Sequence, residues 1–407
     1  MNTEGGDRLS SLSDDLIIKI LSYNDTKQAI RTSILSPRWK NTWKSIPHLD
    51  LSTDDDTSTT TFPDFAHFFY FNLDFTRDLS SNHDFTRVLS SRYNEVELAS
   101  VKLTVREGFR QAFVQTVIEY AYSHNVQKMI IKWLDIMRLE LPNSLFMSQS
   151  VKDFTFIGPT SIFNQPKINS FLDLPALTTL HLENVTISNK NCAEYGGLFS
   201  KCPNLKNLTL FKCDIDEVNS FIRHSEFSKL APETGLYSYA NVVVPHVKNL
   251  TVVDCRGRFL LYAPELSSLM YETYYYETFY ANGLSCLEKV EFYMCPFEED
   301  SYAVVEILQG FHNAKFLTLG LEIFEVASFV DEVTNLPSPF GNLTSLEIYP
   351  RRLDRKKNVK KVKIPKQVTN FLLGASPNAT VSIYSRKEVE ALKHATSAQR
   401  MLAKLQV

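Results

Sequence analysis

The residues of this chain that could do chemistry are carboxylates in two short acidic clusters, Asp54–Asp56 and Glu298–Asp300. A close pair of carboxylates can act as a general acid and a general base. Both clusters lie in polar, turn-rich stretches, where solvated side chains on loops are expected. The nine histidines have no metal-ligand spacing, and the sequence contains no nucleophile elbow, P-loop, zincin motif or dinucleotide-binding motif. We therefore predict no catalytic residue, no metal site and no cofactor, and we expect that the chain is not an enzyme.

The six cysteines offer a second kind of chemistry, but they form no C-x-x-C pair and no metal-binding spacing. A disulfide or zinc framework is therefore not expected. Cys213, Cys255 and Cys295 occupy the same position of a recurring apolar pattern. We interpret them as small side chains that pack in the interior.

A basic run from Arg351 to Lys363 contains eight lysines and arginines, broken by Asp354. One interpretation is a nuclear import signal or a site for an anionic partner. The other, which we favour, is a solvated loop, because short basic runs are weak signals. The formal net charge of −3 excludes a globally basic nucleic-acid-binding protein. We expect no nucleic-acid partner.

From Leu98 onward one pattern recurs, in which an apolar residue is followed by a second three positions later and a third two positions after that. The ten triplets are Leu98/Val101/Leu103, Val126/Met129/Ile131, Val151/Phe154/Phe156, Leu177/Leu180/Leu182, Leu205/Leu208/Leu210, Val247/Leu250/Val252, Leu266/Leu269/Tyr271, Leu287/Val290/Phe292, Ala314/Leu317/Leu319 and Leu343/Leu346/Ile348. Successive first positions are 28, 25, 26, 28, 42, 19, 21, 27 and 29 residues apart. Most of these steps match the roughly 20–29 residues of leucine-rich repeats, in which stacked strands share one core. The pattern predicts such an array, although several unrelated α/β units would also fit.

The segments between the predicted strands must return the chain to the start of the next repeat. The clearest helical pattern lies in residues 108–124, whose apolar residues fall on one stripe. Residues 364–383 predict a capping helix, a turn and a final strand. The step of 42 residues indicates an irregular or inserted unit between Asp214 and Val244.

Between the buried positions of each predicted strand, alternate residues must face the opposite side of the sheet. On the later strands this face carries large side chains, namely Phe211, Met270, Tyr293, Phe316 and Tyr349. Aromatic residues among polar neighbours are typical anchors of protein interfaces. We predict that these five residues contact a target protein. A register shifted by one residue would instead turn them all inward.

Residues 7–51 carry apolar residues at helical spacing in three short runs. Asp14 and Asp15 precede the first run, Asp25 precedes the second, and Ser36-Pro37 begins a third that contains Trp39 and Trp43. Three helices within about 45 residues cannot bury all of this apolar surface alone. The stretch is therefore either a partner-binding module or part of a larger core.

The order of residues in this stretch is D-R-L-S-x-L, D-D-L-I-x-x-I-L-S, T-K-x-A-I-R-T-S-I-L-S-x-R-W-K-x-x-W and I-P-x-L-D-L. It resembles the F-box of plant F-box proteins, and Cys202-Pro203-Asn204-Leu205 resembles a turn of those that carry leucine-rich repeats. Ser13 and Tyr23-Asn24 depart from the usual pattern, which has proline and Leu-Pro at these places. The resemblance implies docking onto the Skp-type adaptor of a cullin-RING ubiquitin ligase. The adaptor contacts that it implies are Leu9, Leu12, Leu16, Ile17, Ile20, Leu21, Ile30, Ile34, Leu35 and Trp39.

The resulting prediction is an α/β protein with a three-helix F-box followed by a curved leucine-rich-repeat solenoid, with strands on the concave face and helices and loops on the convex face. We assign residues 1–51 to the F-box, 52–94 to a linker with short helices, 95–384 to the solenoid and 385–407 to a C-terminal helix or tail. The sequence shows no signal segment and no run of 18 apolar residues, so we expect no membrane contact and an intracellular location, nuclear or cytoplasmic. The resemblance implies a substrate-recognition subunit of an SCF-type ligase, which holds an unknown target and reaches a cullin through the adaptor. An interaction scaffold without ligase function is the alternative.

Overall fold

The computed structural model describes residues 11–51, 89, 91–105, 111–134, 141–161, 165–168, 172–188, 198–216, 240–257, 259–273, 279–294, 301–327, 336–349, 366–385 and 388. The two acidic clusters, Cys295, the basic run, Leu9, and most of the predicted linker and C-terminal tail lie outside these residues. The chain divides into two compact units. The first comprises Met1–Thr186 with Lys201–Leu205, and the second comprises Ile187–Ser200 with Lys206–Val407. The domain boundaries given above stay predictions.

Two capped helices open the first unit. Helix α1 (Asp14–Leu21) starts at Ser13, whose side chain accepts a hydrogen bond from the backbone N–H of Leu16. Helix α2 (Thr26–Arg31) starts at Asp25, whose carboxylate accepts from the backbone N–H of Gln28 at 2.6 Å. Each cap satisfies an N–H that has no partner within its helix. The unusual Ser13 is therefore compatible with a well-formed first helix.

The third predicted helix differs from the expectation. Residues 37–41 form turns, and a 3₁₀ helix follows at Thr42–Ser45. The segment is rich in serine, asparagine, threonine and tryptophan, which have lower helix propensity than alanine or leucine, and its 3₁₀ helix has no side-chain cap. Trp39 and Trp43 are nevertheless buried, so the segment is held by tertiary packing.

The first unit contains a parallel sheet in the order β1-β2-β3-β4-β6. The strand bounds are β1 (His48–Leu51), β2 (Ser100–Val105), β3 (Lys128–Trp133), β4 (Asp153–Ile157), β5 (Lys167–Ile168) and β6 (Thr179–Glu183), and β7 (Thr186–Ser188) begins where the first unit ends. Helix α3 (Gln111–Ser123) connects β2 to β3 and confirms the helix predicted within residues 108–124. Its side chains Val114, Val117, Ile118 and Ala121 are buried.

The end of the F-box stretch is itself a strand of this sheet. Strand β1 pairs with β2 in parallel, with Leu49 opposite Val101 and Leu51 opposite Leu103. On its open side, the backbone N–H of Asp50 donates to the hydroxyl of Thr26 at 2.9 Å. A side-chain partner of this kind protects an edge strand against pairing with another chain. The first helices are therefore continuous with the sheet rather than attached through a flexible linker.

A buried arginine strengthens this connection. Arg92 is 4% exposed and donates hydrogen bonds to the backbone carbonyls of Trp43 and Ile46. Burial lowers the pKa of Arg92, and the neighbouring Tyr120 of α3 opposes that shift. The two terminal nitrogens of the guanidinium are paired, while its buried Nε has no hydrogen-bond partner. Because a buried cation needs such partners, Arg92 links the 3₁₀ segment to the first repeat.

The second unit contains a longer parallel sheet in the order β8-β11-β13-β15-β16-β17-β18, and a small parallel sheet in the order β10-β12-β14. Its strands are β8 (Asn207–Phe211), β9 (Asp214–Asp216), β10 (Ala240–Val243), β11 (Asn249–Val253), β12 (Phe259–Tyr262), β13 (Ser268–Glu272), β14 (Phe279–Asn282), β15 (Lys289–Tyr293), β16 (Phe316–Gly320), β17 (Ser345–Tyr349) and β18 (Thr380–Ile383). Its helices are α4 (Ser301–Gly310), α5 (Leu321–Ala327) and α6 (Lys366–Leu373). Helix α6 and strand β18 confirm the helix and strand predicted for residues 364–383.

The recurring apolar triplets form the cores of both units. All thirty of these side chains are at most 4% exposed. Cross-strand register keeps equivalent positions in one row, as where Met129 faces Val101 on one side and Phe154 on the other. The register therefore matches the period of the sequence pattern, and the alternative register shifted by one residue is wrong.

The return segments of the repeats differ in secondary structure. The repeats that begin at Leu98 and Leu287 return through α3 and α4, whereas the two shortest repeats, with steps of 19 and 21 residues, return through β12 and β14. An extended chain advances about 3.3 Å per residue but a helix only about 1.5 Å, which favours strands where few residues are available. The 42-residue step also contains a strand, β10, so length alone does not set the return structure. We expected only helices and loops in the return segments on the convex face, but the structure has strands there as well.

We expect that Arg92→Met lowers the free energy of unfolding by about 2–3 kcal/mol, because two buried carbonyls lose their charged donor. Urea denaturation of the full chain measures this change. The matched control is Arg38→Met, which removes an exposed arginine 2.8 Å from Asp14 and should cost less than about 0.5 kcal/mol. Equal effects of the two substitutions would contradict the structural role of Arg92.

Candidate functional site

The first candidate site is a set of exposed apolar side chains near the N-terminus. Among the described residues, eleven large apolar side chains are exposed, and five of them lie between residues 16 and 35. They are Leu16, Ile20, Tyr23, Ile34 and Leu35, with exposed fractions from 43% to 75%. Such a concentration on a small module is typical of a protein-interaction surface. We call these five residues the apolar surface.

The helix geometry of α1 explains the exposure of its apolar residues. Leu16 and Ile20 are four positions apart and share one side, whereas Ile17 and Leu21 share another and are fully buried. The helix therefore uses one apolar stripe for the core of the first unit and leaves a second stripe in solvent. The second stripe is about half exposed and lies outside the core, which favours a role in binding.

The ten residues predicted to contact an adaptor are divided by the structure into three groups. Leu16, Ile20, Ile34 and Leu35 are exposed, and Leu12 is half-buried. Ile17, Leu21, Ile30 and Trp39 are buried at 4% exposure or less and pack in the core of the module. The adaptor contacts of all ten residues stay predictions. Leu9 lies outside the described residues. Tyr23 was not among the predicted adaptor contacts, although it is exposed beside them. Its position in the turn after α1 was the signal in the sequence that could have indicated this exposure.

The second candidate site is the side of the long sheet opposite the core of the second unit. Phe211, Met270, Tyr293, Phe316 and Tyr349 all lie on this side, as predicted from their register. Phe316 is 51% exposed and the other four are half-buried. Phe211, Tyr293 and Tyr349 fall in one row of the sheet on non-adjacent strands, whereas Met270 and Phe316 lie in two other rows. Tyr349 stacks on Tyr384, directly after β18, with 4.5 Å between ring centroids. Their role as target contacts stays a prediction.

A residue in the left-handed conformation follows three of the strands. Asn184, Lys212 and Asp254 come directly after β6, β8 and β11, with φ between 51° and 52°. Asn184 uses its buried amide to donate to the carbonyl of Gly158. Asp254 has no such amide. Burial raises the pKa of the Asp254 carboxyl, the nearby Glu272 raises it further, and Lys212 lowers it.

Three of the four described cysteines, Cys202, Cys213 and Cys255, are buried and pack in the interior, whereas Cys286 is exposed. The backbone N–H of Cys213 donates to the sulfur of Cys255 at 3.4 Å, and both side chains are buried at the same turn of their repeats. Burial raises the pKa of the Cys202 thiol to about 11, which disfavours the reactive thiolate. Within the described ranges, no group of three histidine, cysteine or acidic residues could hold a metal ion. The helices that the structure describes include none long and apolar enough to cross a membrane.

Comparison with known proteins identifies the N-terminal module. Residues 9–50 match the family model of the F-box domain. An F-box/FBD/LRR-repeat protein of Arabidopsis thaliana is 25% identical over 344 residues, which cover 84% of this chain and 67% of the relative. A second protein of this description is 25% identical over 375 residues, or 86% of this chain and 67% of the relative. An FBD-associated F-box protein of the same plant is 28% identical over 218 residues, which cover 52% of this chain and 40% of the relative. These similarities confirm the resemblance to plant F-box proteins with leucine-rich repeats.

The environment of Asp254 leads to a prediction about pH dependence. We expect that Asp254→Asn raises the free energy of unfolding at pH 7.5 by less than about 1 kcal/mol, since Asp254 is partly exposed and solvent screens its charge. Asparagine avoids a poorly solvated charge beside Glu272 and tolerates positive φ. Since the pKa of this acid is raised in the folded state, its ionisation destabilises that state as pH increases. The difference between variant and wild type should therefore grow from pH 4 to pH 7.5 in urea denaturation.

The matched control for this prediction is Asp153→Asn, which makes the same chemical change at a half-exposed residue at the start of β4. A similar gain in the control, or a gain for Asp254→Asn that does not depend on pH, would contradict the proposed cause.

Proposed function

We propose that this chain is the substrate-recognition subunit of an SCF-type cullin-RING ubiquitin ligase. The F-box binds a Skp-type adaptor, and through it a cullin, while the repeats hold a target protein. The chain itself is non-catalytic and works in the nucleus or the cytoplasm. The observation that carries this proposal is the apolar surface within a sequence that matches the F-box domain. F-box domains in general serve as adaptors of this kind.

The energetics of the apolar surface support a protein partner. Removing an exposed leucine or isoleucine side chain from water stabilises a complex by about 1.5–3 kcal/mol when it is fully buried. Leu16, Ile20, Ile34 and Leu35 together could therefore supply a large part of the free energy of binding. The exposed hydroxyl of Tyr23 adds a polar tip, as is common for tyrosine at interfaces.

The presence of both modules in one chain supports a mechanism based on proximity. Strand β1 and Arg92 hold α1 and α2 on the same body as the first repeats. The predicted target contacts lie on strands of the second unit. A target held there is tethered to the adaptor through this chain, which raises the effective concentration of its lysines near the ubiquitin-loading enzyme.

The second candidate function is an interaction scaffold that does not bind the adaptor. It is motivated by Ser13, which stands where proline is usual, and by Tyr23-Asn24, which replaces the usual Leu-Pro between the first two helices. The capped start of α2 at Asp25 shows that this replacement leaves the second helix intact. The two functions therefore differ in the affinity of the apolar surface rather than in its fold.

We expect that the purified chain binds a plant Skp-type adaptor and that Leu16→Ala/Ile20→Ala weakens binding at least tenfold, because truncation of central apolar contacts typically costs more than about 1 kcal/mol each. Isothermal titration calorimetry measures both affinities. Asp15→Ala is the matched control on the same helix, at an exposed polar residue, and should change binding little.

Thermal unfolding separates lost contacts from lost folding. The double variant should unfold within a few degrees of the wild type, since both side chains are exposed. Ile17→Ala should instead lower the melting temperature, because Ile17 is fully buried. Absence of adaptor binding by the folded wild type would overturn the ligase function in favour of the scaffold.

A further inference from the structure

Strands β15–β18 carry tyrosines and carboxylates close together on the side of the sheet opposite the core. The residues are Glu291 and Tyr293 on β15, Glu347 and Tyr349 on β17, and Tyr384 directly after β18. We call them the acidic aromatic face. We propose that this face binds a basic segment of the target protein, through two arginine or lysine side chains about three residues apart. This inference rests on the proposed function and names the chemistry of the target.

The aromatic part of the face is preorganised. The rings of Tyr349 and Tyr384 are stacked, with centroids 4.5 Å apart and planes 17° apart. Tyr293 lies close to Gly320, since a Cβ placed on that glycine would be 3.5 Å from the tyrosine ring. Gly320 pairs with Tyr349 on the next strand. Gly320 is itself buried, so the Tyr293 ring covers the place where a side chain would stand between Tyr293 and Tyr349.

The carboxylates give the acidic aromatic face its negative charge. The hydroxyl of Tyr349 donates to the carboxylate of Glu347 at 3.1 Å, which fixes the position of that group. Burial raises the pKa of Tyr349, and so do Glu347, Tyr384 and Tyr293, so the hydroxyl stays a donor. Glu322 of α5 adds a third carboxylate, 3.4 Å from the place of a Cβ on Gly320. The negative charge is therefore concentrated around the aromatic rings.

Basic residues are scarce on the same part of the sheet. Among the described residues of β15–β18, Lys289 is the only basic one, and its ammonium is 2.7 Å from the carboxylate of Glu291. Lys289 is more than half exposed, so an incoming cation can displace it from Glu291. The charge of the face is complementary to a basic partner and repels an acidic one.

Tyrosine rings and carboxylates together select cations. An arginine side chain can stack on a tyrosine ring and bind a carboxylate with two parallel hydrogen bonds. Half-buried tyrosines lose little conformational entropy on binding, which makes them effective anchors. These properties favour arginine over lysine at this face.

The spacing of the two central carboxylates sets the spacing of the basic residues. Glu291 and Glu347 both pair with Thr318, on opposite sides of β16. Because neighbouring strands are about 4.8 Å apart, the two glutamates are about 10 Å apart across the sheet. A polyproline II segment advances about 3.1 Å per residue and repeats its orientation every three residues. Two arginines separated by two residues match this distance.

The test is fluorescence anisotropy of the full chain with a fluorescein-labelled peptide whose core is Arg-Pro-Pro-Arg. We expect Glu291→Gln/Glu347→Gln to weaken binding about tenfold or more, with an unchanged melting temperature, because both side chains are at least partly exposed. Lys289→Gln should tighten binding several-fold, because it removes a competing cation. Added salt should weaken binding to the wild type much more than to the double variant.

Matched controls separate specific binding from general attraction. Glu183→Gln changes a half-exposed glutamate on β6 of the first unit and should leave the affinity for the peptide unchanged. A peptide with the core Glu-Pro-Pro-Glu should not bind, and one with adjacent arginines should bind more weakly. Absence of binding by the wild type, equal binding of the acidic peptide, or no effect of the double variant would overturn the inference.

The same variants distinguish this inference from the proposed function. Glu291→Gln/Glu347→Gln should retain full affinity for the Skp-type adaptor, and Leu16→Ala/Ile20→Ala should retain affinity for the peptide. If the adaptor does not bind but the peptide does, the ligase function fails and the basic-segment site stands. If the adaptor binds but the peptide does not, the ligase function stands and the basic-segment site fails.

Discussion

The structure depends on the parallel register that keeps the apolar triplet of each repeat in line with those of its neighbours. Within each unit, side chains such as Val101, Met129 and Phe154 form continuous buried rows across the strands. A single strand pair could not bury such a row, so each repeat depends on the next for its stability. A slip of one residue would expose every one of these side chains. The burial of the triplets therefore fixes which residues face the other side.

This constraint has consequences for binding. Because the register is fixed by the core, the opposite side of the sheet can vary without loss of the fold. Tyr293, Tyr349 and Glu347 occupy positions of this kind, where they contribute little to the core but stand in defined rows. The F-box follows the same logic at α1, where Ile17 belongs to the core and Leu16 to the surface. In both places one element serves stability with one side and recognition with the other.

Two charged residues, the buried Arg92 and the partly buried Asp254, show where the chain departs from this simple division. Arg92 is buried but paired with two carbonyls, and it joins the F-box to the first repeat. Asp254 is in a less favourable position, since burial and Glu272 both raise its pKa. A paired buried charge can hold two elements in place, whereas a carboxyl beside another carboxyl destabilises the folded state. The two residues thus have opposite expected effects on stability.

Periodicity in the sequence is enough to predict the apolar triplets, the helix within residues 108–124, and the side of the sheet to which Phe211 and Tyr349 belong. The reason is that the period of a strand or a helix translates directly into the face that a residue occupies. Long-range packing, in contrast, makes residues 36–45 form turns and a 3₁₀ helix, returns short repeats through strands, and places Ile17, Leu21, Ile30 and Trp39 in the core. It also brought Arg92 to Trp43, and Tyr384 to Tyr349. These outcomes depend on contacts between residues distant in the chain, which the spacing of residues within one segment does not encode.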